Sequence, residues 1–142
     1  MYLKSFFYRN LFFQKFTRFF ILAKTFHIYF LASIYIHIPY CKQQCTYCNF
    51  HFRIAQKDKT EMLNCMKKEI TRRINYLDSK EIATIYFGGG TPSILNIEEI
   101  NSLINTIKDN YDISEDAEIT LECNPDDLNI KKLNSLKKLG IN

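Results

Sequence analysis

Acidic residues are missing from the first 57 positions of this 142-residue chain, although that stretch holds eight lysines and arginines. The remainder carries eleven basic against fifteen acidic groups, so a +8 opening precedes a −4 body and the whole comes to +4. That imbalance marks the opening as a different kind of sequence from the rest. A long apolar run is also lacking. Lys4, Arg9, Lys15, Arg18 and Lys24 break the Phe-rich residues 1–33 before they reach the ~20 apolar residues of a membrane span. No signal peptide with a clear small-residue cleavage site is evident, and there is no low-complexity tract or short repeat. The five cysteines are an odd number with three clustered, which disfavours a disulfide framework and favours metal binding in a reducing compartment. Phe and Ile dominate between the basic charges, no nucleic-acid-binding module is recognisable, and no nucleic-acid partner is expected.

What is present suits one globular domain or less, with 46% hydrophobic residues to build a core. In residues 1–33 the positions Phe12, Phe13, Phe16, Phe19, Phe20 and Ala23 fall at helical spacing beside a basic face. Three readings stay open for this extension: a membrane-surface helix, an organellar presequence, or a stretch upstream of the natural start with no fixed role. From Ile34 the pattern changes. Ile34, Ile36 and Ile38 alternate with Tyr35 and His37 as in a half-buried strand, which Pro39 ends. Residues 58–77 place Met62, Met66, Ile70, Ile74 and Leu77 on one helical stripe. Residues 82–87 read as a buried strand, followed by Gly88-Gly89-Gly90-Thr91-Pro92. Asn96 with Glu99 three residues on starts a second helix, a variant capping box, with its stripe at Ile97, Ile100, Leu103, Ile104 and Ile107. Residues 117–123 form a third strand, with Glu118, Thr120 and Glu122 on one face and Ile119, Leu121 and Cys123 on the other. A last helix carries Leu133, Leu136 and Leu139 and stops at Gly140. Strand–helix three times over predicts an α/β fold with parallel strands and crossover helices.

The chemistry gathers on the loop after strand one, Cys41-Lys42-Gln43-Gln44-Cys45-Thr46-Tyr47-Cys48. Three thiols spaced C-x3-C-x2-C can converge on one centre. Structural zinc wants four ligands, whereas a four-iron cluster held by three cysteines keeps one iron open. In parallel α/β folds, functional groups collect at the carboxyl ends of strands. The cysteine loop, the glycine run and Glu122 all sit there. The glycines lack the lysine and spacing of a P-loop and do not match G-x-G-x-x-G. Taken alone they read as a flexible turn, and Glu122 alone as a solvated charge. Cys65 and Cys123 read as buried small residues. His51, with Cys41, Cys45 and Cys48, would complete a zinc set, so a zinc-binding interaction module is the alternative of another class.

Three segments carry a resemblance: Tyr35-Ile-His-Ile-Pro-Tyr-Cys41, Phe87-Gly-Gly-Gly-Thr-Pro-Ser93 and Glu118-Ile-Thr-Leu-Glu-Cys-Asn-Pro125. With the Cys41, Cys45, Tyr47, Cys48 pattern they resemble the radical S-adenosylmethionine (SAM) proteins, and within them the HemW and HemN group, from about Ile34 to Asn142. The resemblance implies the first three βα units of a partial (βα)6 TIM-like barrel. It implies a 4Fe-4S cluster on Cys41, Cys45 and Cys48, whose fourth iron would bind the amino and carboxylate groups of SAM. It places Tyr35, Tyr47, Gly89, Gly90, Thr91 and Glu122 on SAM, and an electron from the cluster would yield a 5′-deoxyadenosyl radical. HemN-like dehydrogenases carry a further cysteine where this chain has Phe50, so the resemblance favours a haem chaperone over an oxygen-independent coproporphyrinogen III oxidase. Haem or porphyrin, an electron donor and a client haemoprotein are the implied partners, and the cytoplasm the implied compartment. The family continues beyond Gly140-Ile141-Asn142 into further strands. The expectation is therefore a radical SAM core over 34–142, cut short, with an open edge on strand three and no activity on its own.

Overall fold

The structure, a computed structural model, describes residues 32–49, 51–54, 56–77 and 81–142. The aromatic-basic stripe of the extension and the Phe50 position lie outside the described residues, as do the membrane-surface and presequence readings that rest on that stripe.

Alternation builds the first strand, β1 (Ala32–Ile38): Ile34, Ile36 and Ile38 are buried while Ser33, Tyr35 and His37 are more open. Helix α1 (Lys59–Arg72) leads to β2 (Glu81–Gly89), a short 3-10 turn at Pro92–Ile94 and helix α2 (Ile97–Lys108). Strand β3 (Asp112–Leu121), a second 3-10 turn at Pro125–Asp127 and helix α3 (Ile130–Lys138) complete the described chain. The three strands are parallel in the order β1-β2-β3. The expected α/β architecture is therefore observed.

Burial departs from simple alternation in β2, where Ile82, Ile85 and Phe87 all join the core. Ala83 is the reason. Ala32 pairs with Ile82 and Ser33 with Thr84, so Ala83 bulges out and resets the side-chain phase. Strand β3 starts five residues earlier than its sequence suggests, because Ile113 pairs with Ile82 before the ladder skips to Glu118 opposite Thr84. Helix α1 ends earlier than expected, at Arg72. Its buried positions are Leu63, Met66 and Ile70, with Met62 and Leu77 packed at the margin of the core.

Ile100, Leu103, Ile104 and Ile107 of α2 and Leu136 of α3 pack into the same cluster as the three strands. The helices thus cover one sheet face and leave Tyr35, Tyr86, Glu118 and Glu122 on the other. Cys65 departs from expectation and is exposed. One residue before Met66 on the helix, it sits about 100° away from the buried stripe.

The helix ends obey local chemistry. The Asn96 side chain accepts from the Glu99 amide at 2.7 Å, while Glu99 Oε2 accepts from the Asn96 amide at 2.8 Å, a reciprocal capping box. Asn129 caps α3 by accepting from the Lys132 amide at 2.8 Å. Gly140, at φ 92°, stops α3 as its sequence position suggests: the Ile141 amide donates to the Leu136 carbonyl and the Gly140 amide to Lys137. Beyond it, the Asn142 side chain accepts from the Ile119 amide at 3.0 Å and donates to the Ala117 carbonyl at 3.3 Å. Asn142 thereby pairs part of β3's outer edge.

The turns after β2 and β3 are tied by polar groups. Ser93, fully buried, donates through its hydroxyl to Asp127 Oδ2 at 2.7 Å and accepts from the Asn124 amide at 2.9 Å. Lys42 pairs with the other Asp127 oxygen. Burial alone would raise the Asp127 pKa, but the hydrogen bonds from Lys42 and Ser93 and the nearby charges of Lys42 and Lys132 outweigh it and hold the carboxyl below its usual range.

Two outcomes follow for stability. Asn96→Ala removes one half of the capping box and should cost about 1 kcal/mol in urea unfolding at neutral pH. A folded carboxyl held below its ordinary value stabilises fully above the unfolded pKa, 3.8, and loses that contribution as pH falls through the lower folded value. The stability gap between the native chain and Asp127→Asn should therefore be flat above about pH 5 and close progressively below about pH 4. A gap that widens on acidification would contradict the assignment.

Candidate cofactor cleft at the carboxyl ends of the strands

The root of the cysteine loop is fixed by backbone pairing. The Arg53 amide donates to the Pro39 carbonyl at 2.7 Å and the Cys41 amide to the Arg53 carbonyl at 3.0 Å, so the chain leaves at Cys41 and returns beside it. Tyr40, buried at the base, donates its hydroxyl to Asp58 at 2.9 Å, and Asp58 also pairs with Arg53. Within the loop the Cys48 amide donates to the Cys45 carbonyl at 3.1 Å.

The glycine run lies directly against this root. The Gly90 amide donates to the Ile38 carbonyl at 2.7 Å and the Thr91 amide to Tyr40 at 2.8 Å. Gly89 sits at φ 116°, a conformation that L side chains rarely adopt. A Cβ on Gly90 would stand 2.7 Å from the Tyr40 carbonyl oxygen and 2.9 Å from Cys41 Sγ. These glycines form a close-packed seam, which corrects the reading of them as a flexible turn. Thr91 points its hydroxyl at Cys41 Sγ, 3.5 Å away.

Glu122 follows β3 and closes the arrangement. Its Oε1 accepts from the Tyr86 hydroxyl at 2.7 Å and its Oε2 from the Gly89 amide at 3.1 Å. Glu122 is exposed, as a solvated charge would be, but two donors fix the orientation of its carboxylate. Tyr86 also stacks on Tyr35, with ring centroids 5.9 Å apart and an interplanar angle of 25°. The bond to Glu122 raises the Tyr86 pKa, and burial followed by the Glu122 charge raises that of Tyr35. Tyr35 shares a 3.1 Å hydrogen bond with His37 Nδ1. Burial holds the His37 imidazole below its ordinary pKa against the opposing pull of Glu122.

Together these elements bound a cleft of about 410 Å³. Cys41, Cys45, Cys48, Tyr47, Gly89, Gly90, Thr91 and Glu122 all line it, so eight of the nine residues singled out in the sequence meet in one place. Tyr35 stands beside it, through Tyr86. Tyr47 is 85% exposed, at the outer wall. Cys123 is exposed and lines the cleft, against the expectation of burial. It lies beyond the last paired residue of β3, where strand alternation no longer applies. His51 does not line the cleft and is exposed.

All three loop cysteines are unpaired and partly open. Among the described residues no three His, Cys, Asp or Glu side chains stand close enough to hold a metal ion; the thiols share the cleft without meeting at a point. Three free thiols facing a wall of bare backbone suit a group larger than one ion. Sequence reasoning missed Tyr86, whose Glu122 partner lies 36 residues away. Its only signal was a polar-tipped aromatic in a buried strand.

A family model described as the Radical SAM superfamily matches residues 35–142. The haem chaperone HemW of Buchnera aphidicola subsp. Schizaphis graminum is 38% identical over 112 residues, covering 78% of this chain and 30% of that protein. The mitochondrial radical S-adenosyl methionine domain-containing protein 1 of Danio rerio is 35% identical over 112 residues, 78% of this chain and 25% of the relative. Among solved structures, the coproporphyrinogen III oxidase HemN of Escherichia coli, described as a radical SAM enzyme, matches with a TM-score of 0.71 at 29% identity. That match covers 78% of this chain and 26% of the other. The chain thus spans between a quarter and a third of the length of these relatives. The sheet is the corresponding part of the HemN barrel fold, and the chain belongs to the radical SAM superfamily.

Proposed function

We propose that residues 34–142 are the amino-terminal part of a radical SAM core that holds a 4Fe-4S cluster and S-adenosylmethionine, in a protein that binds haem and delivers it to a client. The observation that carries the reading is the meeting of three unpaired thiols, a side-chain-free backbone wall and an oriented carboxylate in one cleft. Cys41, Cys45 and Cys48 would hold three irons of the cluster. When bound, the cluster supplies the electron for reductive cleavage of SAM.

The remaining residues have positioning tasks. Gly89 and Gly90 leave backbone open to the methionine end of SAM, with Thr91 beside them. Glu122, held by Tyr86 and Gly89, presents a fixed carboxylate to an amine or hydroxyl. Tyr35 and Tyr47 offer aromatic surface on either side. The similarity to HemW haem chaperones and Phe50 in place of a further cysteine favour the chaperone role. A second reading, an oxygen-independent coproporphyrinogen III oxidase, is favoured by the structural match to HemN. Haem or porphyrin, an electron donor and a client haemoprotein are the partners of this reading, and the cytoplasm its compartment. No described helix is long and apolar enough to cross a membrane.

Anaerobic reconstitution with iron and sulfide tests the centre. The chain should take up about four irons, give absorption that SAM perturbs, and lose both when Cys41, Cys45 and Cys48 are changed to Ala. Stoichiometric zinc in a colourless protein would overturn the reading in favour of the interaction module. Haem titration against coproporphyrinogen conversion, on protein carrying the cluster, then separates chaperone from oxidase. Gly90→Ala provides a sharper check on the wall: its methyl must displace Tyr40 or Cys41, at a cost of about 1–3 kcal/mol in unfolding and with reduced iron uptake. Full stability with full uptake would contradict the seam.

A further inference from the structure

Lys42 is the residue after Cys41, and its ammonium leaves the cysteine loop to reach Asp127 on the turn after β3. The two ends of this pair differ. Lys42 is 54% exposed at its side chain, whereas Asp127 is 2% exposed. An exposed ion pair holds little, because water competes for both partners. A carboxylate withdrawn from water behaves otherwise: it must keep its partners, and losing one is costly. Asp127 is supplied with two. Its Oδ2 accepts from Ser93, which is fully buried and whose hydroxyl also accepts from the Asn124 amide. The Ser93 and Leu95 carbonyls in turn accept from Lys132 Nζ at 2.5 and 3.2 Å, adding α3 to the assembly.

Three segments of chain therefore end on one carboxylate: the cysteine loop, the turn after the glycines, and the turn after β3. We propose that Lys42, Asp127 and Ser93 form a latch that sets the cysteine loop on the cleft before any cofactor binds. Lys42 and Asp127 are positioning residues in it. The latch acts one residue beyond the root of the loop, at the first position after Cys41. The root is held by Arg53 against Pro39 and Cys41, whereas among the described residues the one backbone bond inside the loop runs from the Cys48 amide to the Cys45 carbonyl. The significance for a cluster rests on the reading of this loop as its holder. The latch itself is a property of the metal-free chain.

Hydrogen–deuterium exchange of the full, reduced, metal-free chain tests it directly. Lys42→Met removes the charge from an exposed position, so the fold should survive. The 41–53 segment should then exchange about fivefold faster, with α2 unchanged. Lys42→Arg should restore the native rate, and Asp127→Asn should reproduce the acceleration from the other end. Reconstituted Lys42→Met should also retain less iron and sulfide than Lys42→Arg. Unchanged exchange of the loop in Lys42→Met overturns the latch. Faster exchange in a chain that takes up no iron, even without substitution, supports the latch and removes the cluster reading instead.

Discussion

The close approach of the glycine run to the end of β1 is the constraint on which the rest of the molecule depends. Gly90 and Thr91 hydrogen-bond to Ile38 and Tyr40, inside a gap that a single Cβ would close. That contact extends the pairing of β1 with β2 past the regular strands, to the point where the cysteine loop begins. Without it, Cys41 would leave the sheet with its backbone held by the Arg53 pairing alone. With it, the first thiol stands against bare backbone, and the chain after Thr91 is directed into Pro92–Ile94 and α2. The fold's hydrogen bonds and the site's geometry are thus the same atoms.

The two faces of the sheet divide the labour. Ile34, Ile36, Ile38, Ile82, Ile85, Phe87 and Ile119 point to the helices and hold the layers by burial. The opposite face carries Ser33 and Thr84, joined at 2.6 Å, then the Tyr35–Tyr86 stack, then Glu122. Along the strands that face runs from hydroxyls to aromatics to a carboxylate, approaching the thiols at the carboxyl ends. Apolar burial on one side allows the other to be polar without losing the sheet, provided its groups satisfy one another. They do: among the described residues no fully buried side-chain nitrogen or oxygen lacks a partner.

Local chemistry was legible in the sequence, and long-range chemistry was not. The Asn96 cap, the Gly140 stop, the α2 stripe and the alternation of β1 depend on neighbours within a turn or two, so spacing reveals them. The meeting of the cysteines, the glycines and Glu122 was legible because parallel α/β topology sends every strand's carboxyl end to one rim. The Ala83 bulge was hidden, since a phase slip depends on the partner strand. Cys65 and Cys123 were misplaced for a related reason: an apolar neighbour in sequence does not fix the angle on a helix, or the alternation past a strand's last pair. The Ser93–Asp127 bond spans 34 residues, and no periodicity reaches that far.

Glu122 shows how structural and ligand-directed demands meet in one side chain. A carboxylate offers about four lone-pair sites. Tyr86 and the Gly89 amide take one on each oxygen, which leaves about two for a ligand and fixes their direction. The Gly89 bond also locks the residue whose positive φ opens the wall, so the carboxylate and the wall cannot move independently. A glutamine could keep both contacts, its oxygen accepting from the Gly89 amide and its amide donating to the Tyr86 hydroxyl, which accepts as well as donates. It would lose the charge and put a donor where the second oxygen accepts. What glutamate adds at position 122 is therefore negative charge and free acceptor sites, in an orientation the two contacts fix.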